Sequence, residues 1–211
     1  MTDYFDLLGV PRGPIVDTET LKKRFLQLSQ SLHPDHLAST TAETHEKAPN
    51  TFVEINTAFR CLSDLKSRLA HLFEIEFGRG PRSIQDIQPD IAAVGSRVMT
   101  VCHGIDLFLK GFKKHSPPMI KARQFKEAMH WMSQCDEVEE GFKPLERQLE
   151  MQLMSLDQAW RQNSSHVTRQ PDSPESITLD HCYRLASYLA KWSVQIKERR
   201  LNLSLLVHET S

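Results

Sequence analysis

The sequence predicts an all-α fold, a helical hairpin followed by a small helical bundle, on three observations. Apolar residues recur at three- and four-residue intervals along nearly the whole chain, which places them on one face of a helix. No stretch alternates apolar and polar residues in the manner of a half-buried strand. Aspartate, proline and glycine punctuate the periodic runs where helices begin and stop.

The elements follow in order. DYFDLLGV is one short helix ending at Gly9, a natural terminator. VDTETLKKRFLQLSQSL opens with Asp17 as N-cap and Glu19 in the first turn, where the helix dipole favours an acid. Its apolar face is Leu21, Phe25, Leu28 and Leu32, with Lys22, Lys23 and Arg24 largely elsewhere. The helix must stop before Pro34, which disfavours the helical region for His33 and lacks a backbone donor. ASTTAETHEKAPN reads as a loose polar connector. Phe52, Ile55, Phe59 and Leu62 then mark a partner helix that runs antiparallel if the connector folds back. LKSRLAHLFEIEF continues it after a break near Asp64.

GRGPRSIQDIQPD concentrates glycine, proline and polar residues, and it sets the domain boundary. The expected division is 1–77, a linker over 78–89, and a bundle over 90–203 with a flexible loop at 163–176. Within the bundle, helices are expected near 91–113, 118–138, 144–162 and 178–203, with Pro117, Pro118 and Pro144 as starts. No internal repeat and no glycine-rich phosphate loop is present, so no cofactor is expected.

Composition narrows the classes. Hydrophobic residues at 39% and charged ones at 25% are ordinary for a globular protein. A formal net charge of -1 gives no overall field for polyanions, which argues against nucleic acid as a partner. No run of about eighteen apolar residues is evident, so no membrane association is expected. The start MTDYFDLLGV carries acids where an export signal needs bases. Cys61, Cys102, Cys135 and Cys182 lie far apart without a CxxC, as scattered buried thiols of a reducing compartment do. A cytoplasmic protein is the expectation.

The question is what His33-Pro34-Asp35 does at the end of a basic amphipathic helix. The order of short helix, basic helix, HPD, polar loop and returning helix resembles the J domain of DnaJ-type co-chaperones. Four stretches are similar to the HscB family within that group: DYFDLLGVP, LKKRF, HPDHLAS and INTAFRCLSDLKSRLAHLF. In the last of these, Arg68, Leu69, Ala70, Leu72 and Phe73 match the family's arginine, alanine and paired bulky residues. The resemblance implies a J-domain helical hairpin followed by a small helical bundle, with neither a glycine/phenylalanine-rich region nor zinc repeats. It implies that His33, Pro34 and Asp35 form the tip that engages a DnaK-type (70-kDa heat-shock) chaperone and stimulates its ATPase. Proline fixes the tip, aspartate meets a cationic group on the chaperone, and histidine holds the loop. Lys22, Lys23 and Arg24 would orient the encounter. An iron–sulfur scaffold protein is the implied client.

The chain also departs from the pattern. His36 stands where many J domains have lysine, and Leu26, Gln27 and Ser31 stand where general J domains are more positive. The HscB family carries a leucine/methionine/glutamate cluster on its scaffold-binding face. Where that would fall, DIAAVGSRVMTVCHGIDLFLKGF is poor in glutamate and holds Gly95, Gly104 and Gly111, each weakening a helix by about 1 kcal/mol relative to alanine. The alternative is therefore a J-domain protein with an unrelated client, such as an effector that captures a chaperone, or a degenerate J domain kept for architecture.

Other features have plainer readings. Cys102, His103, His130 and Cys135 lack the tight spacing of a zinc ligand set, so no metal is expected. Asp136, Glu137, Glu139 and Glu140 read as a solvated helix end and the turn after it. Met129, Met132, Met151 and Met154 read as bundle core. On the last helix Tyr183, Tyr188 and Trp192 are expected inward, with Lys197, Arg199 and Arg200 wet; a partner-docking helix is the second reading. No nucleophile, paired carboxylate or general base stands in a catalytic context, so an enzyme is not expected.

Overall fold

The computed structural model describes residues 2–31, 42–82, 87–113, 116–162, 170 and 172–210, apart from the side chains of 42–50 and 208–210. The described residues form seven helices and no strand, the all-α architecture that the periodicity predicts. They are α1 (Tyr4–Leu8), α2 (Thr18–Ser31), α3 (Ala42–Ser63), α4 (Leu65–Phe77), α5 (Pro89–Gly111), α6 (Pro118–Gln162) and α7 (Pro174–Thr210). The chain divides into two compact units, one of Met1–Arg82 with Met151–Tyr183, the other of Ser83–Glu150 with Arg184–Ser211.

In the first unit three helix ends fall at Gly9, Asp17 and Asp64, which the sequence singles out, and a fourth at Asp3, which it does not. Asp3 caps α1 by accepting from the Phe5 and Asp6 amides at 2.8 and 3.4 Å. Gly9 ends it in the left-handed region, φ 61° and ψ 38°, which only glycine enters without cost. Asp17 accepts from the Thr20 amide at 2.9 Å and caps α2. Asp64 sits extended between α3 and α4 and accepts from the Ser67 amide at 2.8 Å, so the expected break is an N-cap.

Packing then follows from the apolar faces. Phe5, Leu8, Leu21, Leu62, Leu69, Leu72 and Phe73 are all but completely buried. Phe25 stacks on Phe59 with centroids 4.3 Å apart, joining α2 to α3. Arg68 fixes the direction of that pair. Buried on α4, it donates Nε to the Pro14 carbonyl at 3.1 Å and Nη1 to the Leu62 carbonyl. The approach to α2 therefore lies beside the end of α3, and moving forward to Phe25 moves back to Phe59. The two helices are antiparallel.

The same unit takes in the end of α6 and the start of α7. Trp160 meets Phe77 edge-on at 6.3 Å. Arg79 lies over the Phe73 ring at 4.9 Å and donates to Ser176 Oγ at 2.7 Å and to buried Asp180 at 3.2 Å. The Arg82 amide donates to the same carboxylate at 2.8 Å. Residues 79–82 are thus pinned to α7 by a buried acid.

The second unit is a bundle of α5, the first part of α6 and the second part of α7. Its core includes Val98, Ile105, Cys135, Phe142, Leu185, Trp192 and Ile196. Two of the three glycines on α5 are explained here. A Cβ on Gly95 would come within 2.8 Å of the Trp192 ring, and one on Gly104 would collide with Trp131. Their lost helix propensity lets two indoles lie against the α5 backbone. Ion pairs cross between helices: Arg97 with Glu137 at 2.7 Å, Arg199 with Asp106 at 2.8 Å, and Arg200 with Glu139 at 3.1 Å and with Asp136.

Several expectations are corrected. The stretch from Ala42 to Asn50 is not loose connector but the beginning of α3: its alanines, glutamates and lysine favour a helix, and the helix continues through Pro49 despite that residue's cost. Pro144 does not start a helix; α6 runs through it unbroken. It is exposed while Phe142 and Leu145 are buried, so packing on both sides outweighs the backbone bond that proline forfeits. The acidic run therefore lies within a helix and not at its end; Asp136, Glu137 and Glu140 stay exposed and pair with Arg200, Arg97 and Lys143. Arg199 and Arg200 are correspondingly paired, not wet. Met129, Met151 and Met154 are 46%, 65% and 55% exposed, so they do not fill the core. The last helix spans Pro174–Thr210, longer at both ends than expected, with Trp192 buried against Tyr188 and Phe142. Finally, α5 is long and apolar enough to cross a membrane by composition alone, its most apolar eighteen-residue window having a mean hydropathy of 1.3. Of that window 28% is buried; in α5 the buried residues include Ile91, Val98, Val101, Ile105 and Phe108, and Arg97 and Asp106 are ion-paired.

Candidate functional site

The side of α2 turned away from the core carries the candidate site. Glu19, Lys22, Lys23, Leu26, Gln27 and Gln30 line an open groove of ≈ 310 Å³. Those positions repeat at three and four residues, so helix geometry alone gathers them into one stripe. Leu21 and Phe25 are on the other side, held by the core and by Phe59, and they fix which face α2 presents.

Of the predicted basic residues, Lys22 and Lys23 lie together on this stripe. Arg24 is exposed but falls outside the groove's lining, since each residue turns the helix by about 100°. His33, Pro34 and Asp35 lie outside the described residues, in the sequence between Ser31, which ends α2, and Ala42, which begins α3. The loop expected at 163–176 lies largely outside them as well.

Sequence reasoning missed Leu26, Gln27 and Gln30 as members of the face, treating Leu26 and Gln27 only as departures from a more positive pattern. The spacing from Lys22 and Lys23 would have found them. Leu26 is 49% exposed, an apolar contact point one turn beyond the two lysines. Such a surface suits an acidic partner with an apolar patch: charges steer the approach and set specificity, and the leucine adds buried area.

Two buried polar residues hold the platform in shape. Arg68 ties the α1–α2 loop to the end of α3 as described. His71 on α4 accepts from the Tyr4 amide through Nε2 at 3.1 Å and stacks on the Tyr4 ring at 4.4 Å. Accepting at Nε2 requires the neutral ring, and burial lowers the His71 pKa below its ordinary 6.5 against the opposing pull of Asp3 and Glu74.

Among the described residues no three histidine, cysteine, aspartate or glutamate side chains are grouped to hold a metal. Burial pushes the Cys61 and Cys135 thiols up to about 11 and Cys182 to about 12, the opposite of an activated nucleophile.

Known proteins resemble this chain in sequence over its first third and in fold over most of it. Residues 3–71 match the DnaJ domain family. The chain is 39% identical over 69 residues to the chaperone protein DnaJ of Hyphomonas neptunium, which covers 33% of this chain and 16% of that one. It is 35% identical over 74 residues to the co-chaperone protein HscB homolog of Acinetobacter baumannii, covering 35% and 40%. The chain thus spans less than half the length of these curated relatives. Among solved structures, chaperone HscB from Vibrio cholerae superimposes with a TM-score of 0.56 at 16% identity, over 96% of this chain and 99% of that one.

Proposed function

With a DnaJ domain at residues 3–71 and an HscB-type fold over nearly the whole chain, we propose that this protein acts by binding. It engages a DnaK-type chaperone through the HPD tripeptide and the α2 face and stimulates that chaperone's ATPase. Residues 1–77 serve as the docking module. Residues 90–203 present a client, with an iron–sulfur scaffold protein as the leading candidate. The single observation that carries the reading is the exposed Lys22–Lys23–Leu26 stripe on a helix that leads directly into His33-Pro34-Asp35. The roles are those the family pattern implies: Lys22 and Lys23 steer, Arg24 adds to the field from the neighbouring side, and Asp35 makes the contact that matters for hydrolysis.

Charge reversal tests the face. In surface plasmon resonance against an ATP-loaded DnaK-type chaperone, Lys22→Glu/Lys23→Glu in the full chain should slow association by roughly 10-fold at low salt. The difference should shrink as salt screens it. An association rate equal to the parent's at every salt concentration contradicts the assigned face.

A second reading has its own support. Likeness in sequence to the named relatives is confined to about the first third of the chain, and the rest shares only a fold with HscB. A J-domain protein delivering an unrelated client fits that division. Pull-down against an iron–sulfur scaffold protein separates the two: capture that depends on residues 90–203 supports scaffold delivery, and no capture supports the unrelated client.

A further inference from the structure

The second unit holds a groove that the chaperone-docking reading does not use. It lies between the end of α5 and the start of α6, with a volume of ≈ 560 Å³. Leu107, Phe108, Phe112, Ile120 and Trp131 supply its apolar wall, and Leu107 and Ile120 are 55% and 49% exposed. Two polar atoms in that wall are buried without a hydrogen-bond partner, Trp131 Nε1 and Gln124 Oε1. A buried indole N–H and a buried amide oxygen each cost free energy when unpaired.

Charge gives the groove a sign. The stretch from Leu107 to Lys126 contains no aspartate or glutamate, in a chain whose net charge is -1. Within it, Lys113 and Arg123 line the groove, both exposed and with no acidic partner among the described residues. Glu127 is the one acid in the lining, between Gln124 and Trp131 on the α6 stripe.

We propose that this groove binds an extended peptide segment of a partner protein, with acidic side chains at the Lys113–Arg123 end and bulky apolar ones along the Leu107–Trp131 wall. A peptide unit offers both an N–H and a C=O, so it satisfies either end of the Gln124 amide and, at another unit, the Trp131 N–H. Gln124 and Trp131 are seven residues apart on one helix face, about 10 Å along its axis. An extended chain covers that distance in about three residues. Glu127 disfavours a second acid near Trp131 and so sets the segment's polarity. An anionic bilayer would suit the lysines and Met119, but Trp131 Nε1 and Gln124 Oε1 are buried in a concave wall, out of reach of a flat headgroup layer.

The inference rests on the reading that residues 90–203 present a client, but stands apart from the chaperone-docking reading, because the groove is in the second unit and its test contains no chaperone. The test is fluorescence anisotropy with the full chain and labelled ten-residue peptides. One has an acidic first half and an aliphatic–aromatic second half; a control replaces its acids with lysines. The acidic peptide should saturate with a Kd on the order of 10 µM, as a short segment of this size allows. Lys113→Glu/Arg123→Glu should weaken it at least ~10-fold, and the lysine control should bind ~10-fold more weakly than the acidic peptide. Trp131→Phe should cost roughly 5-fold for one lost hydrogen bond. Gln124→Leu, at a half-buried position, should do the same if Trp131→Phe disturbs the fold. Equal binding of both peptides, unchanged binding by the charge-reversed chain, or no saturation would each overturn the proposal. So would co-sedimentation with phosphatidylserine–phosphatidylcholine vesicles in place of peptide binding, which would make the groove a membrane contact.

Discussion

Arg68 is the residue on which the shape of the first unit turns. Its guanidinium is buried, and burial lowers its pKa, yet it remains a cation whose charge is spread over two backbone carbonyls from distant parts of the chain. Truncation would leave the Pro14 and Leu62 carbonyls buried and unpaired. Arg68→Ala should therefore destabilise the protein by roughly 2–4 kcal/mol in urea unfolding, and Arg68→Lys should recover little, because one ammonium cannot reach both acceptors with fixed geometry. His71 makes a pH prediction with a definite sign. Its folded pKa lies below the ordinary 6.5, so its contribution is fully present above that value and is lost as pH falls through the folded pKa. The urea midpoint should drop between pH 7 and pH 5 more steeply in the parent chain than in His71→Phe, which cannot titrate. Parallel pH profiles would contradict the neutral acceptor role. Both residues sit in stretches the sequence marks as family-like, but their tasks, one a double carbonyl anchor and the other an acceptor for Tyr4, each need a partner more than fifty positions away, Pro14 and Tyr4.

At the scale of elements, short-range signals are legible and compensated ones are not. Asp3, Asp17 and Asp64 cap helices because a side-chain oxygen can reach an amide two or three residues on, a relation written wholly within the local sequence. Pro144 and the glycines of α5 mislead because local propensity is overridden by packing: α6 continues through its proline, and Gly95 and Gly104 exist for Trp192 and Trp131. Gly104→Ala puts this to the test. By propensity alone it should stabilise α5 by about 1 kcal/mol. Against Trp131 the new methyl has no room, so the expected outcome is a net loss of about 1–2 kcal/mol in thermal or urea unfolding. A gain in stability would mean that the indole does not lie on the α5 backbone. The acidic run on α6 was misjudged for the same reason as Pro144. Placed at a helix end it would oppose the dipole, but inside a continuous helix it meets Arg97 and Arg200.

For the molecule as a whole, the two units differ in how much of their purpose the sequence carries. Helix order, spacing and HPD identify the first, and the structure adds the exposed Lys22–Lys23–Leu26 stripe. The second is built on the same periodicity, but its surface, including the basic groove beside Trp131, becomes visible only once α5 and α6 are placed together. The central claim is that the first unit drives a DnaK-type chaperone through an acidic tip beside a basic helix. Single-turnover ATP hydrolysis by such a chaperone, measured with the full chain and with Asp35→Asn at equal concentration and equal thermal stability, tests it most directly. Stimulation by the parent chain and its loss in the Asn variant is the predicted result; equal stimulation by the two, or none by the parent, would contradict it.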